Sequence, residues 1–238
     1  MHNPSTLKFA RKFLPEFLRK RLDPFHWFIE EKLQGFAATL PTGARVLDAG
    51  AGECPFRHLF SNNEYVAVDS AVGDSTWDYS HLSVVADLTA LPFADGSFSA
   101  VICVVVLEHV SDPAAAFREF RRVLGTQGRC FVAVPQIWEL HQAPNDFFRY
   151  TRHGLEHLMG SSGFRIVSLE PTGGYFQLLG KLSIDFLQFF ESGAKFILFI
   201  PLAPLFGFLI PLVCYYLDKL DRKKDFALGF VAVAEVAA

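Results

Sequence analysis

Three carboxylates and a small set of histidines carry the chemistry available to this chain. Asp48 closes the apolar run Val46-Leu47-Asp48, and the following turn, Ala49-Gly50-Ala51-Gly52-Glu53-Cys54, holds two glycines. Glycine lets the backbone bend tightly and approach a ligand closely. Asp69 ends a second apolar run, Tyr65 to Val68, twenty-one residues after Asp48. At that spacing a nucleotide-binding α/β unit sets an acid on ribose hydroxyls. An ionised carboxylate is acceptor-only, which suits a vicinal diol or an amine.

The densest polar cluster comes later: Trp138, Glu139, His141, Asp146, Arg149, Tyr150 and Thr151. His141 is the general-base candidate, because an imidazole takes up a proton near neutral pH without assistance. Asp146 and Arg149 are spaced as an ion pair that holds this loop, with Asp146 the second candidate for proton transfer. Thr151 is the expected cap of the next helix. His109, in Leu107-Glu108-His109-Val110, is the third catalytic candidate. His26, His58, His81, His153 and His157 show no partner pattern, and no residues stand at metal-ligand spacing.

The elements that must position these groups follow from periodicity. Arg45 to Asp48 reads as a short buried strand, Ala100 to Val106 as an apolar one, and Asp112 to Leu124 as a helix. The turn Gly125-Thr126-Gln127-Gly128 leads into a strand from Arg129 to Val134, and further strands are expected at Phe164 to Leu169 and Leu228 to Val236. Strands alternating with helices point to an α/β fold around a parallel sheet.

Together with the run Ala86-Asp87-Leu88-Thr89-Ala90-Leu91-Pro92-Phe93-Ala94-Asp95-Gly96-Ser97-Phe98, this order of motifs resembles the class I (Rossmann-like) S-adenosylmethionine-dependent methyltransferases. It falls in their small-molecule, methyltransferase type 11-like branch, which includes the quinone methyltransferases. The resemblance covers residues 42–172 and the strand at 228–236. It implies a doubly wound, seven-stranded, mostly parallel sheet with an antiparallel last strand, and S-adenosyl-L-methionine as cofactor. Asp48, Gly50 and Gly52 would then cradle the methionine part and Asp69 would accept both ribose hydroxyls. Asp87 would sit beside the adenine amino group, with Leu88 against the ring. The cofactor's positive sulfonium favours a mildly acidic cleft. Cys54 and Pro55 stand where a third glycine is common, giving the sub-pattern Gly-x-Gly-x-x-Pro-aromatic-Arg from Gly50 to Arg57. Ser99 replaces an acid that is common after Ser-Phe. A nicotinamide dehydrogenase needs that third glycine for helix–strand packing, so the same turn argues against one.

Composition bounds the remaining possibilities. The 238 residues suit one domain with appendages, and a net charge of -3 implies no basic face for nucleic acid. Cys54, Cys103, Cys130 and Cys214 are scattered and read as reduced thiols in a reducing compartment. There is no signal-peptide pattern and no internal repeat.

The 26 phenylalanines are unevenly spread, and many fall outside the methyltransferase-like part, in the first forty residues and between 176 and 208. From Ser5 to Arg21, Lys8, Arg11, Lys12, Arg19, Lys20 and Arg21 interleave with Phe9, Phe13, Leu14, Phe17 and Leu18. Such a stretch suits an anionic membrane surface or a helix packed over the cofactor cleft, and Pro24 to Ala38 reads as a second helix that lids the cleft. Residues 1–41 thus form an N-terminal helical segment, 42–174 the core, 175–225 a hydrophobic helical insertion and 226–238 the final strand.

Phe196 to Leu217 carries no charge over 22 residues, long enough to span a bilayer, but Pro201, Pro204, Gly207 and Pro211 are expected to break it. Because both flanking strands belong to one sheet, the run must dip in and return, lie in the interface, pair with the Tyr175 helix, or pack on protein. The expected function is methyl transfer, with oxygen as target atom, to a lipid-like or lipid-linked (glycan or quinone-type) acceptor. The expected location is the cytoplasmic side, peripheral or monotopic on the inner face of a membrane. A non-catalytic cofactor-binding or membrane-scaffolding protein with a retained fold is the alternative class.

Overall fold

The computed structural model describes residues 15–73 and 76–237, so Lys8, Arg11, Lys12 and their apolar neighbours lie outside the described residues. The chain forms two compact units. One joins the described residues up to Glu30 to Pro171–Leu228; the other holds Glu31–Glu170 and the residues from Gly229 onward. The N-terminal helix and the late insertion, which the sequence presents as separate appendages, therefore cluster as one body.

The larger unit is built on a seven-stranded sheet: β1 (Arg45–Ala49), β2 (Glu64–Asp69), β3 (Val84–Val85), β4 (Phe98–Val104), β5 (Leu124–Pro135), β6 (Phe164–Thr172) and β7 (Gly229–Val236), in the order β3-β2-β1-β4-β5-β7-β6. Strands β1 to β5 pair in parallel, and β7 runs antiparallel to β5. This is the expected Rossmann-like methyltransferase topology. Val46, Leu47 and Ala49 of β1, Ala100 to Cys103 of β4 and Cys130 to Val134 of β5 are fully buried. Burial on both faces explains why these strands read as continuous apolar runs rather than alternating ones. The strand order reverses between β1 and β4, and at that switch point an open α/β sheet leaves a crevice beyond its carboxyl ends.

Two helices of this unit have well-defined starts. For α3 (Pro113–Val123), Asp112 accepts the Ala115 amide at 2.9 Å and Pro113 sits in the first turn. For α4 (Arg152–Ser161), Thr151 caps the Gly154 amide at 3.1 Å, as expected. The longer helix α2 (Pro24–Ala38) ends in this unit, where Phe36 packs against Phe131 of β5 with ring centroids 5.6 Å apart.

The smaller unit is a helical hairpin with a basic helix on it. Helix α5 (Tyr175–Phe186) is followed by α6 (Phe196–Pro204) and α7 (Ile210–Leu217). Here the structure corrects the sequence expectation: the prolines do not break the run. Gly193–Leu220 is one continuous helical path of 28 residues, with a π-helical turn at Leu205–Leu209 between Pro204 and Pro211. Such a turn rearranges the hydrogen-bond ladder where a proline ring and its missing N–H would otherwise interrupt it.

The hairpin closes at its base. Leu228 N–H donates to Thr172 O at 3.1 Å, Asp221 accepts the Tyr175 amide at 2.8 Å, and buried Asp218 accepts the Gln177 amide at 3.1 Å. These carboxylates satisfy the first amides of α5, which has only Gly174 at its cap. Gly180 passes close to Pro211, where an added Cβ would lie 3.2 Å from its Cα. From α1 (Glu16–Leu22), Arg21 Nε donates to the Tyr216 hydroxyl at 2.8 Å.

Candidate functional site

A cleft of about 510 Å³ opens at the switch point. Its floor is the turn after β1. Gly50 takes φ 87°, and a side chain there would collide with Val106, whose Cγ1 would lie 2.4 Å from the added Cβ. Only glycine fits. Gly52 also has positive φ, and Trp77 lies 3.4 Å from the position its Cβ would take. Cys54 adopts φ 57°, so the place where a third glycine is common does demand the left-handed conformation, met here by a buried cysteine.

Asp69, at the end of β2, binds this turn together. Its Oδ2 accepts the Gly52 amide at 3.0 Å and its Oδ1 the Ala71 amide at 2.8 Å. Asp48 is buried and accepts a hydrogen bond from the Tyr65 hydroxyl. Burial pushes its carboxyl up to about 7, a rise opposed by the Tyr65 bond and assisted by the nearby charge of Asp69. A cation beside Asp48 would restore the ionised form. Asp87 is exposed and holds the Thr89 amide and hydroxyl, both at 2.8 Å, while Leu88 is buried beside it. Asp48, Gly50, Gly52, Asp69, Asp87 and Leu88 all line the one cleft.

The catalytic candidates meet at the other side of the same unit's cleft. His109 lines it, together with Asn145 and Phe147. Behind His109 stands His141, with ring centroids 4.6 Å apart and planes at 86°. His109 Nδ1 lies 2.6 Å from Asn145 O and His141 Nδ1 lies 3.0 Å from Glu139 O. A carbonyl only accepts, so both Nδ1 atoms carry a proton, and in the neutral ring Nε2 presents a lone pair. Burial lowers the His109 pKa and so keeps that ring neutral.

Asp146 occupies a supporting place. Arg149 forks onto it at 2.6 and 2.8 Å, and the His141 amide donates to it at 2.9 Å. The Arg149 hydrogen bonds are the main reason its carboxyl is held down at about 2. A carboxylate so occupied positions the His141 loop and is a poor proton acceptor.

Glu108, Tyr65 and Trp77 are the residues to which sequence reasoning gave no role. Glu108 is completely buried, and neither of its carboxylate oxygens has a hydrogen-bond partner among the described residues. Burial pushes it up to about 7. Its charge beside His109 in an apolar segment was the available signal; for Trp77 the sequence offers only an aromatic in a polar loop.

Comparison with known proteins agrees with this arrangement. Residues 47–132 match the family described as Methyltransferase domain. Cycloartenol-C-24-methyltransferase 1 of Oryza sativa subsp. japonica is 29% identical over 155 residues, covering 58% of this chain and 42% of that protein. An uncharacterised methyltransferase of Mycobacterium sp. (strain KMS) is 30% identical over 135 residues, covering 50% of this chain and 54% of the relative. The chain spans about two-fifths of the length of the first curated relatives it matches, 42% and 39%. Among solved structures, Burkholderia thailandensis 1,6-didemethyltoxoflavin-N1-methyltransferase superimposes with a TM-score of 0.56 at 15% identity, covering 100% of this chain and 93% of that one. That likeness concerns the fold. Residues 47–132 thus carry a methyltransferase domain, within a core that has the Rossmann-like methyltransferase fold.

Proposed function

We propose that this chain transfers the methyl group of S-adenosylmethionine to an oxygen of a lipid-like or lipid-linked acceptor, of glycan or quinone type, at a membrane surface. The observation that carries the reading is the apolar hairpin inserted between the last two strands of a methyltransferase core. On its 28-residue helical path Ile197 is 74% and Ile200 63% exposed, which is unusual for side chains meant to face water. At 1.5 Å per residue that path is about 42 Å long, more than the ~30 Å hydrocarbon core of a bilayer. Because its base closes on itself at Thr172 and Leu228, the insertion enters and leaves on one side. Arg19 and Lys20 of α1 add positive charge suited to anionic headgroups on the cytoplasmic face.

Within the core the residues divide the work. Asp48 and the glycine turn receive the cationic methionine end, Asp69 the ribose diol, and Asp87 with Leu88 the adenine. Methyl transfer is an in-line displacement at an activated carbon, so the protein mainly holds the two partners in line. An acceptor hydroxyl must also lose its proton. The lone pairs on Nε2 of His109 and His141 are suited to take it, with Asp146 and Arg149 holding the loop of His141.

The test is to incubate the full-length protein with methyl-labelled S-adenosylmethionine and membrane lipid extract. Label in a lipid or glycolipid fraction, on an oxygen identified by mass spectrometry, is the expected result. Cofactor binding without any label transfer would favour the cofactor-binding or scaffolding alternative.

A further inference from the structure

With Glu108 ionised, three hydrogen-bond acceptors face one another beside the cleft, and no donor lies between them among the described residues. Glu108 Oε1 lies 3.7 Å from His109 Nε2 and 3.9 Å from His141 Nε2. Both imidazoles have their proton on Nδ1, committed to the carbonyls of Asn145 and Glu139. His109 Nε2 and both Glu108 oxygens are buried and lack hydrogen-bond partners among the described residues. Buried polar atoms are rarely left unpaired, since each costs about 1–3 kcal/mol, so this convergence calls for a positively charged occupant.

We propose that Glu108, His109 and His141 form a binding site for a divalent transition-metal ion at the edge of the cofactor cleft. One ligand atom from each lies within 4.8 Å of the others. With metal–ligand distances of about 2.1 Å, adjacent ligands of a tetrahedral site stand about 3.4 Å apart. The observed spacings of 3.7 and 3.9 Å need only a few tenths of an ångström of closure. Two imidazoles and a carboxylate suit zinc, manganese, iron or cobalt better than magnesium or calcium, which favour all-oxygen sets. The outer contacts fit as well. Metal-bound histidines ordinarily donate their other N–H to a carbonyl or carboxylate, and here both do. Three protein ligands leave a position open, and His109 lines the cleft.

The inference deepens the O-methylation reading and rests on it for its purpose. An acceptor hydroxyl bound at the open position loses its proton to water, and the metal-held oxyanion attacks the methyl carbon. The carbon–sulfur bond breaks, its electron pair returns to sulfur, and the products are the methyl ether and neutral S-adenosylhomocysteine. With the ion bound, His109 and His141 serve as ligands; the bare imidazoles would be the base only in its absence.

The test uses the full-length protein, stripped with chelator, with Co²⁺ as the probe. One Co²⁺ per chain, with the visible ligand-field bands of a four- or five-coordinate nitrogen–oxygen site displaced by Zn²⁺, is expected. Glu108→Gln and His141→Ala should each weaken Co²⁺ binding at least about ten-fold. If Glu108→Gln fails to fold, the His109→Ala/His141→Ala pair carries the comparison, with circular dichroism melts as the folding check. No stoichiometric Co²⁺, or bands that survive in folded variants, overturns the proposal; the three acceptors then share a proton instead. S-adenosylhomocysteine titration of the stripped protein separates this from failure of the methyltransferase reading, because that binding does not need the ion.

Discussion

His109 and His141 meet edge to face with ring centroids 4.6 Å apart, one on the segment after β4 and the other on the loop after β5. These strands are direct neighbours in the sheet, paired in parallel from Ala100 and Arg129 onward. The pairing therefore delivers both loops to the same end of the sheet. Two histidines with no relation in sequence become one cluster, and the residues proposed to hold the cofactor line the cleft that His109 borders.

That proximity sets the expected kinetics. His141→Ala should slow turnover by ~100-fold or more, whether His141 takes the acceptor's proton itself or ligates the ion that acidifies it, with cofactor affinity nearly unchanged. Single-turnover rates and S-adenosylhomocysteine titration on the same sample check both halves. A loss below about threefold would leave His141 a merely structural residue.

Asp48 predicts a pH dependence of cofactor binding. Its folded value of about 7 lies above the ordinary carboxylate value, 3.8. The group therefore contributes stability that is fully present below the unfolded value and lost as pH rises through about 7. A cationic ligand selects the ionised form, so affinity should rise from about pH 6 to about pH 8, with proton release on binding at the lower end. Calorimetry of S-adenosylmethionine in buffers of different ionisation enthalpy measures that proton directly. Asp48→Asn should both weaken binding and flatten the profile; a flat profile in the unaltered protein would remove Asp48 from the cofactor's charged end.

The hairpin predicts binding to vesicles. Full-length protein should float with anionic liposomes, and Ile197→Glu/Ile200→Glu should leave it at the bottom. These side chains are exposed, so the double substitution should change stability by no more than about 0.5 kcal/mol per site. Arg19→Gln/Lys20→Gln should weaken flotation in a salt-dependent way. Arg21 is the poorer choice, because it bonds Tyr216 and its loss would loosen α1 from α7. If the unaltered chain stays soluble and unfloated without detergent, the membrane reading is wrong and the hairpin covers another protein surface.

Much of the core was legible because local rules and the fold agree there. The apolar runs of β1, β4 and β5, the glycines at 50 and 52, and the caps Asp112 and Thr151 are decided within a few residues. The helical path through Pro201, Pro204 and Pro211 was not legible, because a π turn can absorb what the prolines remove and nothing in a proline's spacing announces it. Glu108 was hidden for the opposite reason: its isolation from donors exists only once Phe147 and Phe148 fold over it, both amides donating to its carbonyl at 2.8 and 3.2 Å. The joining of α1 to the late insertion is likewise a long-range contact between segments about two hundred residues apart, beyond any local pattern.

Calorimetric titration with S-adenosylhomocysteine tests the account's central claim most directly, because every proposed step begins with the cofactor in this cleft. The account predicts binding of one molecule per chain in the unaltered protein. In Asp69→Ala that binding should weaken by about 2 kcal/mol or more, since two charge-assisted hydrogen bonds to the ribose are lost and the Gly52 amide loses its acceptor. Absence of binding in the folded full-length chain, or equal affinity in a folded Asp69→Ala variant, would contradict it.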